Sequence, residues 1–165
     1  MVVATAALYN YVSVQRHVFS VISSDERNSG ITVWAHYQYF IVPTSLVFDV
    51  RGLSGEKSPA DVTRVLFQFA ATMKERDFER VTLSSHGQPK FLLTGEYFSN
   101  LGAEYGVQNP VYTMRTLPEN VYKLDGTAAF GTWTGGLLGV VGKQMEDFIE
   151  LHKQWYINDI AQDGS

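Results

Sequence analysis

Cysteine is absent from this 165-residue chain, and with it go disulfide frameworks, thiolate zinc sites, iron–sulfur clusters and cysteine nucleophiles. Charge is also sparse: Asp, Glu, Lys and Arg make up 18% of the residues, with a net charge of −4. Phosphate backbones are held by clustered cations, and only 13 Lys and Arg are spread along the sequence, which argues against a nucleic-acid partner. The histidines His17, His36, His86 and His152 stand alone, without His-x-His, His-x-x-x-His or His-Glu-x-x-His spacing, so neither a metal site nor a cofactor is expected. His152 falls on an apolar helical stripe and reads as a satisfied core histidine. There is no repeat, no heptad pattern and no Pro-rich linker.

The chain is instead rich in apolar side chains, with 45% hydrophobic and 13% aromatic residues. A chain of this length buries roughly two thirds of its unfolded surface, so residues 1–165 read as one globular domain with its own core. The first fourteen residues carry no charge, too short a run to span a bilayer and without the basic start of a signal peptide. Two readings stand: a buried first helix over 1–22, with Leu8, Tyr11, Val12, Val14, Val18, Phe19 and Ile22 near one stripe, or the end of a longer anchor or export segment. The second would make an exported or membrane-tethered domain, with the membrane touched only through that anchor.

Ile31–Val42, β-branched and aromatic, reads as a long strand covered on both sides for much of its length. A turn at Pro43-Thr44 leads into a second strand, Leu46–Arg51. Ser58-Pro59-Ala60-Asp61 then combines an N-cap, Pro at N1 and an acid at N3, a helix start. Val62, Val65, Leu66, Phe69 and Met73 follow at helical spacing, and Glu79–Ser85 reads as another strand. Strand, helix and strand in that order have the length of a βαβ crossover, which makes the strands parallel; an antiparallel return is the alternative. Further on, Lys90–Leu93 reads as a short strand, Thr94-Gly95-Glu96 opens a helix, and Val111–Thr116 reads as a strand. The stretch from Lys143 to Ile160 reads as an amphipathic C-terminal helix. The fold expected is α+β: a single domain with a mixed β-sheet containing a βαβ unit and helices packed largely on one face.

Two places can carry chemistry. Parallel strands collect ligands beyond their carboxyl ends, where Asp49 and Arg51 end one strand and Ser84, Ser85 and His86 end the next. The candidate catalytic residues are His86, Ser84 and Asp49; Arg51, Ser85 and Lys90 are candidates for holding an anionic ligand. The plainer alternative is that Asp49 and Arg51 pair while His86 serves a turn. The glycine cluster Gly131–Gly142 suggests a phosphate cradle, but Leu137 and Gln144 stand where a Walker loop needs Gly and Ser or Thr. Close backbone packing or an exposed loop are its alternatives.

No catalytic motif survives its spacing test, while Tyr37, Tyr39, Phe40, Tyr97, Phe98, Trp155 and Tyr156 exceed what a core of this size needs. Tyr and Trp favour interfaces. The expected function is therefore a non-catalytic binding or assembly domain acting on a protein partner or as a homo-oligomer. A small hydrolase or ligand-binding enzyme around His86 is the alternative.

Overall fold

The computed structural model describes residues 2–163; Met1, the first residue of the expected 1–22 helix, lies outside them. The elements run α1 (Val2–Asn10), a π-helical turn (Tyr11–Gln15), α2 (Arg16–Ser24), β1 (Ile31–Gln38), β2 (Val42–Leu53), α3 (Pro59–Met73), β3 (Arg80–Ser85), β4 (Gln88–Thr94), α4 (Gly95–Glu104), α5 (Pro110–Thr116), α6 (Leu137–His152), a second π turn (Lys153–Ile157) and α7 (Asn158–Asp163). The strands form one four-stranded sheet in the order β1-β2-β3-β4. The central pair β2/β3 is parallel and joined through α3, while both outer pairs are antiparallel, so the βαβ unit and the α+β class are present.

The start of α3 follows from its sequence. Asp61 Oδ2 accepts the Ser58 backbone N–H and hydroxyl, each at 2.8 Å, and Pro59 occupies N1, where its missing N–H costs nothing. One face of α3 then meets the sheet. Val33, Tyr37, Phe48, Val50, Leu83 and Leu93 join Val65, Phe69, Phe98 and Trp155 in a single buried core, with Phe48 centred 5.7 Å from Phe69 and 6.0 Å from Trp155. Helix α4 lies so close to α3 that a Cβ on Gly102 would overlap the Ala70 carbonyl, and one on Gly95 the Phe78 carbonyl.

Both sheet edges are closed. Along β1, the Gln15 amide bonds Val33 and Ala35 and the Asn10 amide bonds Tyr37, so side chains satisfy backbone groups that would otherwise recruit another strand. At β4, Leu92 and Tyr122 exchange backbone hydrogen bonds of 2.8 and 2.9 Å.

Five sequence expectations are corrected. The first helix runs to Ser24 and buries Val14, Val18 and Val21, but Leu8, Tyr11, Val12 and Phe19 face outward; the π turn rotates the stripe and directs Asn10 and Gln15 at the strand edge. The first strand ends at Gln38 and is covered on one face only, since Trp34 is 53% exposed. The turn lies at Tyr39–Ile41 rather than Pro43-Thr44, and Pro43 sits inside β2. Val111–Thr116 is helical, because Asn109 Oδ1 caps the Val111 N–H at 3.0 Å and Pro110 supplies N1. The C-terminal helix also begins earlier than Lys143, at Leu137.

Candidate functional site

Register places the sequence candidates on two faces of the sheet. On the face without helices, Trp34, Asp49 and Ser84 are successive cross-strand neighbours. Asp49 is fully buried, and both of its carboxylate oxygens accept the Gly87 N–H at 3.1 Å. Arg51 Nε lies 2.6 Å from Asp49 Oδ2, an electrostatic contact without the alignment of a hydrogen bond. The Arg51 guanidinium also stacks 4.4 Å from the Trp34 ring centre. Asp49 and Arg51 therefore pair, and the carboxylate anchors the β3–β4 turn.

That turn is His86-Gly87, both at positive φ (49° and 79°), the mirror-image geometry that suits a two-residue hairpin. The ring of His86 meets Ser85 rather than Ser84, with Nδ1 at 3.2 Å from the Ser85 hydroxyl. Ser85 alternates onto the helix-covered face and is fully buried. Beside it Lys90 donates to Asp159 of α7 at 3.0 Å. Burial alone would raise the Asp159 carboxyl, but hydrogen bonds from Lys90 and Ser85, with the charges of Lys90 and His86, hold it below its ordinary value. The six candidates thus divide into Asp49, Arg51 and Ser84 on one face and Ser85, His86 and Lys90 around Asp159. Asp159 had no motif to mark it in the sequence.

His152 is fully buried in a directional chain. The Thr63 hydroxyl donates to the Pro59 carbonyl at 2.9 Å, so its oxygen accepts from His152 Nε2 at 3.0 Å, and Tyr156 O–H donates to Nδ1 at 2.8 Å. Burial lowers the His152 pKa to about 3 and raises that of Tyr156. The neutral ring with Nε2–H is the form that this chain requires.

One open feature is markedly apolar. A groove of about 350 Å³ runs between the first helix and the helix-free sheet face, lined by Ala7, Tyr11, Phe19, Trp34, His36 and Phe40 among others. The His36 ring stacks on Phe40 at 4.6 Å, and beyond this ridge a second cavity of about 260 Å³ includes Tyr39, Asp49, Ser84 and Gly87. The lining of the first groove includes no Asp, Glu, Lys or Arg, whereas the second cavity contains the Asp49 carboxylate.

The turn beside the groove breaks a local rule. Tyr39 and Phe40 both adopt positive φ, 53° and 64°, where a type I′ turn favours Asn-Gly. Asn10 Nδ2 donates to the Phe40 carbonyl at 2.7 Å and Phe40 N–H to the Tyr37 carbonyl at 2.8 Å, which holds the strained pair in place. Of the aromatics singled out in the sequence, Tyr37, Phe98, Trp155 and Tyr156 belong to the core, while Tyr39 and Phe40 are exposed. Tyr11, Phe19 and Trp34 join them. For Tyr11 the signal was the charge-free start of the chain, which looks the same in a buried helix and in a contact surface; Phe19 and Trp34 lie beyond that run.

The glycine cluster is not closely packed: a Cβ at Gly131, Gly135, Gly136, Gly139 or Gly142 would meet nothing within 4 Å. Among the described residues, no group of three His, Asp or Glu is placed to hold a metal ion, and no helix is long and apolar enough to cross a membrane. Comparison with protein-family models, with curated proteins and with solved structures returns no match.

Proposed function

We propose that this protein is a non-catalytic binding and assembly domain whose working surface is the apolar face around Tyr11, Phe19, Trp34 and Phe40. The observation that carries the reading is the contiguity of these rings about one groove whose lining includes no Asp, Glu, Lys or Arg. Charge depletion with aromatic enrichment characterises the centre of protein interfaces. Strain points the same way, because a turn that spends two non-glycine residues at positive φ keeps Tyr39 and Phe40 at the surface. The alternative, a hydrolase built on His86, has the Ser85 contact in its favour, but a hydroxyl with no exposed surface cannot meet a substrate carbonyl.

Radical footprinting tests the reading. In cells that make the protein, Tyr11, Phe19, Trp34 and Tyr39 are expected to be labelled several-fold less than in the purified, highly diluted chain. Tyr105 and Tyr112, exposed elsewhere, should react alike in both. Equal labelling of the groove residues in the two settings overturns the reading.

A further inference from the structure

We infer that the occupant of this face is a second copy of the same chain, in a two-fold dimer; the inference rests on the binding reading above and names its partner. The first support is area. Leu8, Tyr11, Phe19, Trp34, Tyr39 and Phe40 are 46–75% exposed, and at roughly 150–250 Å² per aromatic side chain they present on the order of 700 Å². The alanines of α1 and Ile41 add to this. A standard interface takes about 800 Å² from each partner, whereas the largest apolar patch of a monomer is usually about 300–600 Å².

Electrostatics supply the second support. Near a two-fold axis each residue faces its own copy, so any formal charge is set against its like. The nearby cations are Arg51, already paired with Asp49, Arg16 on the exposed side of α2, and Arg80, which reaches the side-chain carbonyl of Gln38 at the end of β1. A partner recognised by charge would call for a set of complementary charges in the groove, and its lining includes no Asp, Glu, Lys or Arg. An interfacial membrane helix carries Lys and Arg along its polar side, whereas Arg16 is the sole Lys or Arg from the start of α1 to the end of α2.

Shape is the third. Ala4, Ala7 and Leu8 stand exposed on α1, and the groove lies beside them between the helix and Trp34. Ridge and groove therefore belong to one surface, as an isologous contact requires. In the dimer, Leu8 and Tyr11 of each copy enter the groove of the other.

Sedimentation equilibrium of the full chain from about 1 to 100 µM tests this. A dimer is expected, and Phe19→Asp and Trp34→Asp are each expected to raise the dissociation constant by at least about tenfold. Far-UV circular dichroism should show both variants folded, with Tyr11→Glu as a further variant should either fail. Leu138→Asp, at an exposed site on α6, should leave the constant unchanged. A monomer throughout the range, or a dimer that Leu138→Asp weakens and Phe19→Asp does not, overturns the inference. If the monomer instead binds neutral phosphatidylcholine vesicles, the occupant is lipid. A monomer whose groove is nevertheless protected in cells overturns the second copy and leaves the binding face standing; loss of that protection overturns both.

Discussion

Gln15 stands in for a neighbouring strand at Ala35: its Oε1 accepts the Ala35 N–H at 2.7 Å while its Nε2 donates to the Val33 carbonyl at 3.1 Å. Asn10 repeats the device further along β1, accepting the Tyr37 N–H at 2.8 Å. The two amides lie five residues apart, and the π turn between them, with its i→i+5 periodicity, brings both to the same side of the helix.

Loss of this clamp leaves part-buried backbone groups unpaired. Gln15→Ala and Asn10→Ala are each expected to cost about 1–3 kcal/mol in urea unfolding, and the double variant to aggregate through the opened edge of β1. A change below about 0.5 kcal/mol for both would mean that water replaces the amides without loss.

The buried His152 predicts a pH dependence with a definite sign. Its pKa falls from 6.5 in the unfolded chain to about 3 in the fold, so the unfolded state takes up a proton first as pH drops. The stability present above pH 6.5 is lost at about 1.4 kcal/mol per pH unit below it, down to about pH 3. Asp61 and Asp159, whose pKa values are lowered, lose their contributions only below about pH 4. His17, lowered by burial and by Arg16 and Arg76, acts in the same direction as His152. Denaturant midpoints of wild type and His152→Gln between about pH 6.5 and 4 separate the two: the variant's slope should be shallower by about 1 kcal/mol per unit, and parallel slopes refute the assignment.

Two glycines should respond with opposite sign to the same substitution. Gly102→Ala forces α4 away from the Ala70 carbonyl and is expected to destabilise by about 1–3 kcal/mol. Gly139→Ala, inside α6 with open space around it, should stabilise by about 0.5–1 kcal/mol. Thermal melts of both variants are the check.

The Tyr39-Phe40 turn separates stability from association. Replacing the pair by Asn-Gly fits the backbone they adopt, and is expected to gain about 1–2 kcal/mol while weakening self-association at least about tenfold. If the replacement destabilises the chain, the turn is not strained; if association is unchanged, these rings are not at the interface.

Much of the frame was legible in the sequence because its signals are local. Ser58, Pro59 and Asp61 start a helix through their own hydrogen bonds, and the alternation of Leu46, Phe48 and Val50 orders β2 wherever it lies. The strand–helix–strand spacing led to the parallel pair. The candidate site was less legible: Asp49 and Arg51 were expected to end a strand, whereas β2 continues to Leu53, and which face each of Ser84 and Ser85 takes is set by pairing across the sheet. Nothing near Val111 could outweigh its strand-like neighbours except the Asn109 cap and Pro110.

The sequence by itself determined a cysteine-free α+β domain, poor in charge and with enough apolar surface for one core. Which aromatics enter that core was decided only in three dimensions. Trp155 and Tyr156 are inside because a π turn aims them at the sheet, and Tyr11 and Phe19 are outside because another commits the opposite side of their helix to the edge of β1. Hydrophobicity favours burial of all four rings; the competing demand of unpaired backbone groups along β1 settles which of them remain at the surface.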